Sequence, residues 1–157
     1  MTRPQPPGHP LSEQQRHDAS LDRIGDALLD AVPDGWRRVD LMVKMSVAVQ
    51  DLALTVYLAD GSTREVVPPD SLLPEFVELR RSIYRPGRGA WFSARLSIDP
   101  PGSVRITYNL DHDPGWVPPI PAAHWARDLE MFPRDERFVP DWLRARIEGA
   151  RHEGQNA

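Results

Sequence analysis

WRRVDLMVKMSVAVQDLALTVYLADGSTREVV, residues 36–67, is the stretch whose reading decides the fold. Val39, Leu41, Val43 and Met45 alternate with Asp40, Met42 and Lys44. A period of two places alternate side chains on opposite faces of a pleated chain, so the spacing predicts a strand from Trp36 to Val47. Leu52, Leu54, Val56 and Leu58 repeat the pattern. Asp60-Gly61 then signals a hairpin turn, because glycine supplies the positive φ that such turns need. Ser62 to Val67 predicts a third, short strand, stopped by Pro68-Pro69, which cannot donate to a ladder.

Upstream, Ser12 and Gln15 have the spacing of a capping box that opens a helix. Leu21, Ile24, Leu28 and Ala31 follow at helical intervals, and Pro33-Asp34-Gly35 ends the run. Downstream, Asp70 or Ser71 is expected to cap a second helix with an apolar face of Leu72, Leu73, Phe76, Leu79 and Ile83. After a loop at Arg85–Gly89, a fourth strand is expected over Ala90–Ile98, with Phe92, Ala94, Leu96 and Ile98 on one face and Trp91 on the other. Asp99-Pro100-Pro101-Gly102 turns the chain into a fifth strand carrying Val104, Ile106, Tyr108 and Leu110. Periodicity then stops among Pro114, Pro118, Pro119 and Pro121. Two short helices are expected near Ala122–Met131 and Asp141–Ala150, parted by Pro133 and Pro140.

These elements predict an α+β fold: one domain with an antiparallel sheet of about five strands, helices packed on one face, and short C-terminal helices. Residues 1–11, with prolines at 4, 6, 7 and 10, are expected to form a flexible tail; residues 12–150 the domain; and residues 151–157 a frayed terminus.

Composition narrows the function. A hydrophobic share of 40% and a charged share of 27% suit a globular chain. There is no cysteine, which excludes disulfides and thiolate chemistry. The formal net charge of -4 argues against a nucleic-acid partner. Lys44 is the only lysine, so the arginine frequency reads as a codon bias. No apolar run approaches a membrane span, and MTRPQPPGHP lacks the apolar segment of a signal peptide, so no membrane partner and a cytoplasmic location are expected.

Asp111-His112-Asp113 is the most catalytic-looking motif, since a carboxylate beside a histidine could orient a base or hold a metal. Neighbouring residues at a strand end point in different directions, however, and no second histidine motif has metal spacing. There is no phosphate loop and no nucleophile elbow. A polar strand exit is the plainer reading, with no catalysis, no metal and no cofactor. Of the five tryptophans, 36, 91, 116, 125 and 142, most are expected to anchor the core. Trp116, among prolines, is the candidate interface residue. Asp18, Asp22, Asp26 and Asp30 recur every four residues on the first helix and form an acidic stripe. Like charges at this spacing oppose the helix by about 0.2–0.5 kcal/mol per pair, with Arg23 expected to relieve part of it. The solvated-face reading stands beside a functional one, in which the stripe steers and binds a basic partner.

The chain resembles the YezG-like family of antitoxin or immunity proteins from about Leu21 to Trp142. The residues that carry the resemblance are Val32-Pro33-Asp34-Gly35-Trp36, Phe76–Arg81 (FVELRR), Ala90-Trp91-Phe92, Leu96-Ser97-Ile98-Asp99 with Gly102, Tyr108-Asn109-Leu110-Asp111, Asp128–Arg134 and Pro140-Asp141-Trp142. The resemblance implies a bacterial, cytoplasmic toxin inhibitor that binds the C-terminal domain of a co-encoded toxin, a nuclease or an NAD-degrading enzyme, by protein–protein interaction. Two other readings stay open: a small metal- or acid–base-dependent enzyme using Asp111, His112 and Asp113, and an adaptor or structural domain with no toxin partner.

Overall fold

A computed structural model describes residues 10–155; the rest of the expected N-terminal tail, residues 1–9, and the last two residues of the expected frayed end lie outside it. The order is α1 (Glu13–Ala31), β1 (Trp36–Met45), β2 (Gln50–Leu58), β3 (Thr63–Val66), α2 (Leu72–Ile83), β4 (Ser93–Asp99), β5 (Ser103–Asn109), α3 (Ala122–Met131), a 3-10 turn (Glu136–Phe138) and α4 (Asp141–Gln155). The strands form one antiparallel sheet in the order β3-β2-β1-β4-β5. The protein is a single α+β domain.

The alternation read in residues 36–58 matches the burial. Val39, Leu41, Val43 and Met45 of β1, with Leu54 and Val56 of β2, are shut away from solvent. Gly61, at φ 85°, makes the turn into β3. The β2–β3 ladder pairs Leu54 with Val66 and goes no further. Pro68, next in register opposite Leu52, has no N–H to donate.

Helices α1 and α2 cover one face of the sheet. Ile24 and Leu28 of α1 and Leu72, Phe76 and Leu79 of α2 join Leu41, Leu96 and Ile98 in the main core. Burying side chains of this size stabilises by about 1.5–3 kcal/mol each. Leu73, expected on the buried face of α2, is instead exposed. Ser71 sits at the start of α2 but makes no capping hydrogen bond through its side chain. The other face of the sheet, apart from the Lys44 end, is open and carries ion pairs: Arg38 with Asp99 and Arg95 with Asp40, each at 3.0 Å.

The expected phase of β4 needs correction at its start. Trp91 belongs to the main core, whereas Phe92 joins Trp125 and Leu143 in a second cluster. The cause is a bulge: Ser93 is the ladder partner of Asn109, yet Phe92 N–H also donates to the Asn109 carbonyl at 2.7 Å. Two residues then face one, which switches the side-chain alternation. Helices α3 and α4 pack around this second cluster. Helix α4 continues to Gln155, beyond the expected end near Ala150, and no proline follows Pro140 to stop it.

Candidate functional site

The acidic stripe lies on α1, whose first turn is fixed by the capping box: Ser12 Oγ accepts from Gln15 N–H at 3.1 Å and Gln15 Oε1 accepts from Ser12 N–H at 2.9 Å. Three contacts orient the helix along β5. His17 Nε2 is 2.8 Å from the Tyr108 hydroxyl. Gly25 lies so close that a β-carbon there would stand 3.2 Å from Val104 Cγ2, and Leu29 reaches Gly102. Residues 17, 25 and 29 therefore form the row that rests on β5 and the turn that leads into it. Asp18, Asp26 and Asp30, each one residue further on, form with Asp22 the next row round, about 100° away.

All four aspartates are exposed. Asp18 accepts from Gln14 Nε2 at 2.9 Å. Among the described residues, Asp22, Asp26 and Asp30 have no side-chain hydrogen bond and no ion pair. Arg23 does not relieve them as expected. It turns to the opposite flank, where its Nε is 2.7 Å from Glu75 Oε1 on α2 and its Nη2 is 3.2 Å from Ser20 Oγ.

Trp116 is half-buried and rests against the second cluster. Its Nε1 is shielded from solvent without a hydrogen-bond partner among the described residues. Lys44 Nζ holds the loop by donating to the Gly115 carbonyl at 3.0 Å. The apolar side chain this loop presents to solvent is Val117, 91% exposed. A lone valine between a tryptophan and two prolines gives no signal of that in the sequence.

Asp111, His112 and Asp113 do not converge. Asp111 pairs with Arg88 at 3.0 Å, and its carbonyl accepts from Trp142 Nε1 at 2.8 Å. Asp113 accepts from Gly115 N–H at 2.9 Å and from Arg146 at 3.2 Å. The backbone of His112 is clamped by the Asn109 side chain, while its ring is exposed. Together these contacts tie the end of β5 to α4. Among the described residues, no three His, Asp or Glu side chains gather where they could hold a metal.

Two polar pairs escape the sequence reading. The first is His17–Tyr108, in a cleft of about 320 Å³ that Glu13 and Arg85 also line. Burial pushes the Tyr108 hydroxyl well above its ordinary range. Ninety-one positions separate the partners, and nothing local connects them. The second is Arg80–Asp128, almost wholly buried between α2 and α3. Here a signal exists: Arg80 follows Phe76 by four and precedes Ile83 by three, which puts a charge on an apolar helix face and demands a buried partner. No known family's sequence profile matches the chain, and no curated protein is significantly similar to it. Among the described residues, no helix is long and apolar enough to cross a membrane.

Proposed function

We propose that this chain is an immunity protein of the YezG-like kind, which binds the C-terminal domain of a co-encoded toxin and neutralises it in the cytoplasm. The observation that carries the reading is the aspartate row of α1. Three of its four carboxylates have no partner among the described residues; Arg23, which lies within the row, is committed to α2, and Arg16 donates to the Leu11 carbonyl. The row costs helix stability and contributes nothing to the core, so a basic partner is what gives it a use. A toxic nuclease presents such a basic surface to its own substrate, and an NAD-degrading enzyme is the other toxin class that fits. In this reading inhibition is stoichiometric, with no catalysis and no cofactor.

The test is coexpression with the C-terminal domain of the protein encoded next to this chain. Restored growth and a stable one-to-one complex are expected. Full toxicity in cells that contain ample folded chain would overturn the proposal.

A further inference from the structure

Strand β5 is an edge of the sheet, and its outer side is open. Met45 N–H donates to the Phe92 carbonyl, so the even-numbered residues of β4 turn their backbone groups toward β1. The odd-numbered ones therefore serve β5, through Arg95–Thr107 and Ser97–Arg105. It follows that Val104, Ile106 and Tyr108 direct their N–H and C=O groups away from the sheet. Among the described residues no group accepts or donates to them. The opposite edge is closed off by a four-residue β3 and Pro68, whereas β5 is seven residues long and holds no proline. An exposed ladder of this kind is a template for another strand.

The aspartate row flanks this edge. Residues 17, 25 and 29 of α1 sit on β5, Arg23 points to α2, and the aspartates occupy the flank away from α2. The spacings also match. Side chains four apart on a helix recur about every 6 Å, and same-face side chains on a strand about every 6.8 Å. A strand laid against β5 would bring every second side chain beneath Asp18, Asp22 and Asp26.

We propose that the outer edge of β5 receives an extended, basic segment of the partner protein, which adds a sixth strand and sets alternate Lys or Arg side chains against Asp18, Asp22 and Asp26. The proposal rests on the toxin-binding reading and specifies where and how the toxin docks. Main-chain hydrogen bonds supply a sequence-independent part of the affinity, and the aspartates select the charge. On the open face the incoming strand meets Arg105, which is exposed there, so its intervening residues are uncharged or acidic. A second copy of this chain is disfavoured. Pairing β5 with β5 across a two-fold axis would bring two aspartate rows to the same seam.

The test uses the full chain and two end-blocked peptides of about eight residues, one alternating lysine and threonine, the other glutamate and threonine. With the lysine peptide at low salt, amide exchange at Val104, Ile106 and Tyr108 should slow about tenfold or more. The glutamate peptide should leave those amides unchanged. Asp22→Asn with Asp26→Asn should weaken the lysine peptide roughly five- to tenfold and leave the exchange of the free protein as it was. Three results would overturn the proposal: no protection of these amides, equal protection by both peptides, or edge amides already protected in a chain that sediments as a dimer. Neutralisation is read separately in cells, so a protective chain whose edge stays unprotected defeats this proposal and leaves the toxin-binding reading standing.

Discussion

The guanidinium of Arg80 and the carboxylate of Asp128 meet through two hydrogen bonds, 2.6 and 2.7 Å long, across 48 positions of sequence. Both side chains are all but sealed from water, at 3% and 7% exposure. Each makes one further hydrogen bond: Arg80 Nε donates to the Trp91 carbonyl at 2.8 Å, and Asp128 Oδ1 accepts from Val47 N–H at 2.9 Å. The guanidinium further lies 4.8 Å from the centre of the Phe132 ring. One pair thus fastens α2, α3, the β1–β2 turn and the lead-in to β4.

Asp128→Ala leaves a buried arginine without its counter-charge. The expected loss is about 3–5 kcal/mol in urea unfolding. Replacing both partners by well-packed apolar residues should restore much of it, because no charge is then stranded. A single-mutant loss under about 1 kcal/mol would mean that water reaches the site.

Leu96 has no exposed surface, at the centre of the main core. Leu96→Ala should cost about 2–5 kcal/mol. Thr107→Ala, on the open face of β5, should stay within about 0.5 kcal/mol. Comparable losses at both positions would show that the open face is covered.

Gly89 has φ 104°, and a β-carbon there would collide with the guanidinium of Arg134. That guanidinium is itself fixed: it donates to the Ala90 and Phe138 carbonyls and stacks on Phe92 at 4.4 Å. Gly89→Ala therefore combines backbone strain with displacement of a held side chain, and a loss of about 1–3 kcal/mol is expected. A melting temperature equal to that of the native chain would contradict this.

Asp22→Asn with Asp26→Asn should leave stability unchanged or raise it slightly, since like-charge pairs relax. Association with the proposed toxin partner should slow, most at low salt, where screening is weakest. Stopped-flow rates at two ionic strengths decide it; equal rates for native and altered chains at both would make the stripe a solvated face.

Much of the fold was legible because it is local. Alternation in residues 36–58 fixed the central strands, Ser12 and Gln15 marked the first helix start, and prolines bounded α3. Three things were not. The bulge at Phe92 is a hydrogen-bonding event with Asn109, and apolar alternation runs through it without a break. Arg23 had two carboxylate neighbourhoods to choose from, and its pairing with Glu75 follows from the packing of α1 on α2. His17 meets Tyr108 only once β5 lies under α1. The aspartate row could be read from spacing alone, but its place beside an unpaired strand needed the sheet order.

The contrast between the two sheet margins bears on how the isolated molecule behaves in concentrated solution. One margin is blunted by Pro68. The other relies on charge alone, so dissolved copies repel where they would otherwise zip together. Raising the salt or neutralising the aspartates removes that protection while the ladder stays available. The row proposed to meet a partner then also sets the shelf life of the chain without one, and turbidity on storage at high ionic strength is the expected macroscopic sign.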